Sequence, residues 1–566
     1  GRRQQLWRGE ARPGPRGRPG GRQDRGAGGP LSPTRRYILQ GLALLPLVLA
    51  LSISALGDGQ SIPHNDGWAY AKIARGFADH LDFQLLAWNR PGLVGQVLLA
   101  VPLSHALPDV VVAQHLTVWV TGVALVLAGY RFFEPELGPS GAALVAATTG
   151  LFPALGLLST SFMADVPAAS LGMLCLAAGA NAVDRRAWLW TSLLLGLLAS
   201  VTREQELAAP AAVLLWVGMR HVREGRAREL RGVAVAGLAS LAAFLAVELW
   251  RRGLPYDSAP EVASTTRAAG YQLIRGALVL GLTLLPIAAL VASRPGRLRL
   301  PGIVGLAACG SALLVLAARR LTGRPEDFLP GNYVGGGRAA PYSDVGIGSP
   351  AAVLPDWFWV ATAAVAGASL LVVVLALANR STSAVAGERS RLAATFTLLY
   401  AGGLAVQTAA GQLFFDRYLL PLVPVVAGLC LAVAPPRLGR ARLATAAAAV
   451  TFLLLLGVEV VAAGTAYDAA RWDASRDLVR DGVPATDIAG GLEWTGWHSR
   501  ERYRSPGRFR EGGLWTASFA DSRDCWIIAA SPLRRGDLRL ARTFRYERLL
   551  VRSPSKLLIY RSGSCP

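Results

Sequence analysis

The sequence predicts a polytopic α-helical integral membrane protein with about 13 transmembrane helices and a small extracytoplasmic α/β domain at its C-terminal end. Three observations carry this prediction. Of the 566 residues, 52% are hydrophobic and only 17% are charged, whereas soluble globular chains have about a quarter charged residues. The mean hydropathy is +0.37, and the apolar residues form long runs. After about residue 464, short apolar segments alternate with polar ones.

The N-terminal segment, residues 1–36, is rich in Gly, Pro and Arg and has no apolar periodicity. Such a composition cannot bury enough apolar surface to offset the entropy of an ordered chain. We therefore expect a disordered basic tail on the cytoplasmic side. The apolar run from Tyr37 to Leu56 is too long for the hydrophobic region of a typical secretory signal, which predicts a retained signal anchor with the N-terminus inside.

Apolar runs that approach about 20 residues, the length that a spanning helix requires, recur along the chain. They lie near residues 37–57, 110–130, 139–158, 162–182, 187–201, 205–220, 230–250, 271–293, 301–319, 355–378, 392–411, 418–434 and 441–464.

Arginine is concentrated in the tail and in every second loop between these runs. The positive-inside rule assigns such loops to the cytoplasm. They contain Arg131, Arg185, Arg186 and the segments that begin at Arg220, Ser293, Asn379 and Pro435. The net charge of +21 therefore fits membrane topology better than a nucleic acid partner, and we expect none.

The segment from Pro91 to Leu107 is apolar but interrupts this alternation. Counting it as a span would place Arg131 outside and reverse every later loop, so we interpret it as re-entrant or interfacial. With this alternation of inside and outside loops, four substantial segments are predicted to face outward: residues 58–109, 251–270, 320–354 and the chain after about residue 464. The expected domains are the tail, a transmembrane unit over 37–464 and the extracytoplasmic α/β domain over 465–566.

The C-terminal domain has its own secondary-structure signals. An amphipathic helix is predicted over 467–480, with short strands at 486–489, 526–530 and 557–560. Cys525 and Cys565 both lie here, and they can form a disulfide if the domain faces an oxidising exterior. The other three cysteines lie in apolar runs without the spacing of a metal site.

The first outward loop, which contains His64, Asn65 and Asp66, is followed by a predicted helix that carries Tyr70 and Lys72. That helix is amphipathic and suits the membrane interface, and its basic residues can meet lipid phosphate or an anionic ligand. The alternative is an interfacial helix that Asp66 merely caps. On composition alone, the cap is the preferred interpretation.

Asp165 is a second carboxylate, at the outer end of a hairpin whose two arms are apolar. An ionisable residue at membrane depth is costly and is therefore a functional candidate. Asp165 can also start a helix with Pro167 in its first turn. The two interpretations have comparable weight, since one carboxylate can serve both purposes.

Two arginines occupy similar outer positions. Arg203 lies beside Glu204 and Glu206 between two short apolar arms, and Arg417 follows Asp416 at the start of a span. A guanidinium makes bidentate contacts with phosphate oxygens, so both are candidates for phosphate binding. The alternatives are ion pairs of Arg203 with a neighbouring glutamate and of Arg417 with Asp416, the latter beside an aromatic anchor at Tyr418.

From about residue 37 to about residue 467, the order of these features resembles the GT-C superfamily of polyprenyl-phosphate-sugar-dependent glycosyltransferases, in the branch of the protein O-mannosyltransferases and aminoarabinose transferases. The matching segments are HNDGWAYAKIARGFAD from His64, STSFMADVP from Ser159, VTREQELAAP from Val201 and RYLLPLVP from Arg417. Gly67 stands where many members have a second acid, and Arg203 where many have Lys.

The resemblance implies an inverting hexosyl or pentosyl transferase in the cytoplasmic membrane. It implies a polyprenyl-phosphate sugar as donor and a glycan, lipid or protein acceptor at the outer face. Asp66 would act as general base, with Asp165 as a second catalytic carboxylate. Arg203, Arg417 and Lys72 would bind the donor phosphate. The candidate contacts to the acceptor or to a divalent cation, whose presence stays open, are His64, Tyr70 and Glu204.

Three other functions remain as alternatives. A ligase or polymerase of lipid-linked glycans would keep the same loop. A transporter or flippase of a lipid-linked sugar needs ionisable residues near mid-span, and the spans contain few beyond His115, Glu248 and Glu459. A non-catalytic envelope scaffold would use the C-terminal domain for binding. The loop over 322–356 is a lid, a part of the acceptor site or a connector.

Overall fold

The computed structural model describes most of the chain outside the N-terminal tail. The described residues are 32–86, 92–183, 185–254, 266–291, 310, 333, 347–348, 354–378, 387–434, 436, 439–500, 515–548, 551–563 and 565. The tail predicted for residues 1–36 lies outside this part of the chain up to residue 31. The span predicted over 301–319 and most of the loop over 322–356 lie outside it as well.

Helices dominate the described residues. They are α1 (Pro33–Leu56), α2 (Gly67–His80), α3 (Val94–Ala106), α4 (Val110–Gly150), α5 (Leu155–Ser159), α6 (Asp165–Gly179), α7 (Arg186–Ser200), α8 (Ala208–Arg223), α9 (Ala227–Arg252), α10 (Thr266–Thr283), α11 (Leu285–Val291), α12 (Asp356–Ala378), α13 (Glu388–Ala409), α14 (Leu422–Val433), α15 (Arg440–Arg480) and α16 (Leu492–His498). The strands are β1 (Ile488–Ala489), β2 (Trp526–Ala529), β3 (Leu538–Arg548) and β4 (Val551–Ser562).

The predicted fold class, a polytopic helical membrane protein with a small C-terminal sheet domain, is confirmed. Within the described residues, six helices are long and apolar enough to cross a membrane, or seven if α10 and α11, which meet at 67°, form one broken span. Helices α6, α7 and α8 have 15, 15 and 16 residues. Each is about 22 to 24 Å long, shorter than a hydrocarbon core of about 30 Å. The number of spans therefore stays a prediction.

Helix α1 shows how the sequence sets a span. The hydroxyl of Ser32 accepts a hydrogen bond from the backbone N–H of Arg35 (3.4 Å), and Pro33 occupies the first turn, where a missing N–H costs nothing. The 24 residues that follow are about 36 Å long, enough to cross a bilayer. The span predicted near 37–57 thus begins a few residues earlier.

Helix α4 contains the span predicted near 110–130 and the first part of the span predicted near 139–158, within one run of 41 residues that bends at Gly138 (φ 68°) and ends at Gly150. A straight helix would separate Gly122 from Gly150 by about 42 Å. Both glycines nevertheless face α1 near Leu47, Gly122 against Leu47 itself and Gly150 against Pro46. The two arms of α4 therefore form a hairpin, and a kink replaces the loop predicted around Arg131.

Helix α3 has 13 residues and is about 20 Å long. It covers most of the doubtful segment from Pro91 to Leu107. A helix of this length is too short for a hydrocarbon core of about 30 Å, which agrees with the re-entrant or interfacial interpretation.

Ion pairs connect several of the described helix ends that lie next to segments assigned to the cytoplasm. Arg36 lies 3.5 Å from Glu134, and Arg220 lies 3.8 Å from Glu388. The first pair joins the start of α1 to the bend of α4, and the second joins the end of α8 to the start of α13.

The C-terminal domain is a four-stranded sheet in the order β1-β2-β4-β3. Strands β1 and β2 are parallel, and the other two pairs are antiparallel. The structure joins Cys525 to Cys565 in a disulfide. Strand β3 was not predicted, because three of its residues, Arg539, Arg542 and Arg545, recur every third position and hide the alternation typical of a strand.

The amphipathic helix predicted over 467–480 is the final part of α15, which runs without a break from Arg440 to Arg480. The predicted domain boundary at residue 464 therefore falls inside a helix. Because a continuous helix is stiff, α15 connects the membrane bundle rigidly to the sheet domain.

Candidate functional site

Four charged side chains from separate segments of the chain converge at the end of the bundle opposite the Arg36–Glu134 pair. The Nη2 atom of Arg203 lies 3.0 Å from Oδ2 of Asp165, and Nε of Arg417 lies 3.5 Å from Oδ1 of the same carboxylate. Arg417 Nη2 also lies 3.9 Å from Oδ2 of Asp66. The four positions that the sequence placed at the outer ends of spans thus form one cluster.

Burial distinguishes the two carboxylates of this cluster. The side chain of Asp165 is 3% exposed, while that of Asp66 is 17% exposed. Buried charges persist only when they are paired, and Asp165 is paired with both guanidiniums. Asp165 thus contacts Arg203 and Arg417 directly and can hold them in place, and its part as a second catalytic carboxylate stays a prediction. Asp66 is the more accessible acid.

The backbone explains why Asp66 points toward the cluster. Asn65 adopts the left-handed conformation (φ 50°), which an Asn tolerates better than most residues. The turn is closed by a hydrogen bond from Gly67 N–H to the carbonyl of His64 (2.9 Å). Asp66 precedes α2, but its side chain makes no capping hydrogen bond. The interpretation of Asp66 as a mere helix cap is therefore not supported.

Aromatic rings flank the two guanidiniums. The Tyr418 ring lies 5.1 Å from the guanidinium carbon of Arg203 and 5.7 Å from that of Arg417, and Phe415 lies 4.5 Å from the latter. Rings at this distance attract a cation through their quadrupole and restrict its movement. The predicted aromatic anchor at Tyr418 is thus part of the site.

Tyr70 of α2 is buried close to this cluster. Burial raises the pKa of its phenol well above the ordinary value, and the negative charge of Asp66 adds to the rise. The phenol therefore stays protonated at physiological pH and remains a hydrogen-bond donor. This keeps Tyr70 a candidate contact to an acceptor or a phosphate.

Tyr333 enters the site from the segment between α11 and α12. Its backbone N–H donates to Oδ2 of Asp416 (2.9 Å), and its hydroxyl accepts from the side chain of Asn65 (3.3 Å). Asp416 also accepts from the backbone N–H of Arg417 (2.8 Å). Tyr333 therefore links the turn that contains Asp66 to the turn that contains Arg417.

Lys72 contacts the C-terminal domain and not the cluster of Asp66, Asp165, Arg203 and Arg417. Its Nζ donates to the carbonyls of Gly496 (2.7 Å) and Ser499 (2.9 Å), at the end of α16. Burial lowers its pKa to about 8, although the charge of Asp521 opposes this change. The predicted phosphate contact of Lys72 is not supported, because its donors are directed to the C-terminal domain.

His64 and Glu204 also differ from their predicted roles. His64 directs Nε2 to the carbonyl of Gly59 (2.8 Å) and Nδ1 to Oδ2 of Asp468 (2.6 Å), so neither nitrogen is available to a metal or an acceptor. Glu204 lies 3.8 Å from Arg251 at the end of α9. Within the described ranges, no group of three or more His, Cys, Asp or Glu side chains is arranged to hold a metal ion.

Solved structures to which the chain is similar include two crystal structures of ArnT from Cupriavidus metallidurans, one with a bound ligand and one in the apo state. The form bound to undecaprenyl phosphate matches with a TM-score of 0.39 and 14% identity over 93% of this chain and 99% of that chain. The apo form matches with a TM-score of 0.39 and 13% identity over the same shares of the two chains.

The archaeal oligosaccharyltransferase AglB from Archaeoglobus fulgidus, in complex with an inhibitory peptide and a dolichol-phosphate, is also similar. Its TM-score is 0.43 and its identity 15%, over 84% of this chain and 62% of that chain. No protein-family model matches the sequence, and no curated protein sequence does.

Proposed function

We propose that the chain is a GT-C-type membrane glycosyltransferase that transfers a sugar from a polyprenyl-phosphate donor to a glycan, lipid or protein acceptor of the cell envelope. The observation that supports this proposal is the cluster in which Arg203 and Arg417 flank Asp165 beside the more exposed Asp66. It combines a site for an anionic leaving group with a carboxylate base.

The two guanidiniums suit a lipid phosphate. A guanidinium has five N–H donors in a planar fork and can make bidentate contacts with phosphate oxygens. Both arginines lie at the ends of apolar helices, Arg203 after α7 and Arg417 before α14. A phosphate attached to a polyprenyl chain reaches this depth from within the bilayer, so the donor enters laterally.

Asp66 would remove a proton from an acceptor hydroxyl as its oxygen attacks the anomeric carbon. The new glycosidic bond forms as the bond from that carbon to the phosphate oxygen breaks, and the electron pair leaves with the lipid phosphate, which inverts the anomeric configuration. Base assistance contributes roughly 10² to 10⁴ in rate. Arg203 and Arg417 stabilise the charge that grows on the phosphate, a contribution of roughly 10² to 10³ per donor in comparable sites.

The proposed orientation places the N-terminus inside the cell and the cluster, together with the sheet domain, outside. The disulfide between Cys525 and Cys565 supports this orientation, since disulfides persist in oxidising compartments. The proposed units are accordingly a cytoplasmic tail over 1–36, a transmembrane transferase unit over 37–464 and an extracytoplasmic domain over 465–566.

A transporter gains little support from two of the three ionisable residues in the predicted spans. Glu248 pairs with Arg251 (2.8 Å), and His115 stacks on His64 with ring centroids 5.6 Å apart. A transporter and a scaffold are therefore treated as outcomes of the functional test and not as second proposals.

The decisive experiment replaces Asp66 by Asn in proteoliposomes supplied with radiolabelled polyprenyl-phosphate hexoses and pentoses and an envelope extract as acceptor. We expect transfer to fall by roughly 10² to 10⁴ while the protein keeps its unfolding temperature. Asp79→Asn is the matched control, because Asp79 lies on the same helix, is 52% exposed and lies 3.7 Å from Arg75 in an ion pair at the protein surface. Full transfer by Asp66→Asn would overturn the proposal.

A further inference from the structure

A second group of charged side chains lies behind the candidate site and is fully buried. Asp468 accepts from His64 Nδ1 (2.6 Å) and from Arg471 Nη2 (2.5 Å), and Arg471 Nη1 donates to Oε2 of Glu493 (2.9 Å). Each of these four side chains is at most 1% exposed. The mechanism proposed for Asp66 does not use any of them.

The hydrogen bonds of His64 determine its protonation. Its Nε2 faces the carbonyl of Gly59, which only accepts, and its Nδ1 faces the carboxylate of Asp468. Both nitrogens must therefore donate, which requires the imidazolium. The group then contains two cations, His64 and Arg471, and two anions, Asp468 and Glu493, so its net charge is zero. Burial of charges at this depth requires such a balance.

The group is connected to the turn that carries Asp66. Oε1 of Glu493 accepts from the backbone N–H of Asn65 (3.1 Å), the residue in the left-handed conformation (φ 50°). His64 and Asn65, the two residues that precede Asp66, are thus both held by side chains of α15 and α16. These helices belong to the sheet domain or lead into it.

Lys72 adds a second connection on the other side of Asp66. It donates to two carbonyls at the end of α16, 2.7 and 2.9 Å away. The segment from His64 to Lys72 is therefore attached at both ends to the C-terminal domain. Asp66 lies between the two attachments.

We propose that His64 is a positioning residue, and that the C-terminal domain, through Asp468, Arg471 and Glu493, fixes the backbone that presents Asp66 to the substrate. The extracytoplasmic domain is therefore a required part of the active site and not an appended binding module. The role of Asp66 as a base rests on the proposed function. The role of Asp468, Arg471 and Glu493 in fixing the backbone at His64 and Asn65 does not depend on it.

Charge balance makes this proposal testable. His64→Gln leaves one cation and two anions, whereas the double variant His64→Gln with Asp468→Asn leaves one of each. We expect His64→Gln to lose amide hydrogen-exchange protection over residues 62–70 and to lower kcat at least tenfold, with the KM for the polyprenyl-phosphate donor within twofold of the wild type. The double variant should recover the protection and a part of kcat.

Arg523→Gln is the matched control. It removes a second ion pair of the C-terminal domain, between Arg523 and Asp487 (2.7 Å), whose arginine is 61% exposed. Both protection over 62–70 and kcat should stay at the wild-type level in this variant. Unchanged protection in His64→Gln, or a double variant no better than His64→Gln, would overturn the proposal.

Asp468→Asn provides an independent test of the proposal if His64→Gln does not fold. Asp468→Asn removes one anion, and the network recovers neutrality when His64, which faces Arg471, Glu493 and His115 as well, releases its proton. Protection over 62–70 should then increase in this variant as the pH rises and His64 loses its proton, whereas in the wild type it should decrease, and the same pH dependence in both proteins contradicts the proposal. Hydrogen exchange does not require catalysis, so this result is independent of the Asp66→Asn assay.

Discussion

Asp165 lies between two guanidiniums, and this position limits what its carboxylate can do. A carboxylate that is 3% exposed and paired with Arg203 and Arg417 orders those groups before a substrate arrives. A phosphate then finds donors already oriented, which is the arrangement that lowers the cost of stabilising charge in a transition state. These contacts suit a carboxylate that positions the two arginines, and the second catalytic role predicted for Asp165 stays a prediction.

Asp165→Asn should therefore destabilise the protein, and its unfolding temperature should depend on bound phosphate more than that of the wild type. Removing one partner of a buried ion pair costs about 3 to 5 kcal/mol, because the remaining charges lose their compensation. An added polyprenyl phosphate supplies the missing negative charge, so it should raise the unfolding temperature of Asp165→Asn more than that of the wild type. Thermal unfolding in detergent with and without polyprenyl phosphate measures this difference, and equal shifts in both proteins would count against the assignment.

The protonation of His64 predicts a pH dependence. Burial alone would lower its pKa, but the hydrogen bond and the charge of Asp468 outweigh it and raise the pKa above the ordinary value of 6.5. Because the folded-state pKa exceeds the unfolded one, the stabilisation is fully present below about 6.5 and is lost as the pH rises through the raised value. Unfolding temperatures between about pH 6 and 9 should decline in the wild type and decline less in the His64→Gln, Asp468→Asn double variant.

The helices of the bundle approach one another closely where glycine allows it. Gly281 of α10 lies against the backbone carbonyl of Ala366 in α12, and an added Cβ would come within 2.3 Å of that oxygen. Small residues at such contacts permit the close packing that associates helices in membranes. The junction between α10 and α12 is thus set by backbone proximity and not by large side chains.

Gly281→Ala should accordingly separate these helices and lower stability by about 1 to 3 kcal/mol, the usual cost of overpacking. Gly402→Ala is the matched control, since Gly402 also lies within a helix but has no atom within 4 Å of an added Cβ. That control should be neutral or slightly stabilising, because Ala favours helix over Gly by about 0.5 to 1 kcal/mol. Unfolding temperatures in one detergent compare the two, and a stable Gly281→Ala protein would show that α10 is not closely packed.

Helix α15 determines how the membrane bundle and the sheet domain act together. Its 41 residues are about 62 Å long, of which roughly half suffices to cross a bilayer. The remaining turns carry Asp468 and Arg471 to the turn before Asp66. A continuous helix therefore connects the sheet domain to the candidate site. This connection is the basis for the proposed role of the domain in positioning Asp66.

The disulfide should stabilise the sheet domain as a unit. Cys525 and Cys565 are separated by 40 residues, and closing a loop of this length removes unfolded-state entropy worth about 4 kcal/mol at 25 °C in the chain-entropy treatment. Reduction should shift the mobility on a non-reducing gel and lower protection of the amides of β2 and β4. The Cys525→Ser, Cys565→Ser double variant should show the same loss without reductant and no further change with it.

The parts of the site that were predicted share a local signal. Asp66, Asp165, Arg203 and Arg417 are polar residues at the ends of apolar runs, and the cost of burying charge in lipid makes such positions recognisable. Tyr333 had no comparable signal, because it lies in a Gly- and Pro-rich segment without periodicity. Strand β3 was missed for a related reason, since its arginines do not follow the alternation of a half-buried strand.

The composition and the spacing of apolar and basic residues were enough to predict a multi-span membrane protein and to place Asp66, Asp165, Arg203 and Arg417 at the same ends of its helices, while the side of the membrane that each loop faces stays a prediction. Hydrophobicity and charge act locally along the chain, so they can be read from it. The contact partners of each residue could not be predicted from the sequence, because they are far apart along the chain. Asp468 contacts His64 across 404 positions, and Lys72 contacts Gly496 across 424. Such pairs depend on how helices pack, and packing assigned Lys72 and His64 to the C-terminal domain and left Asp66 with the two arginines.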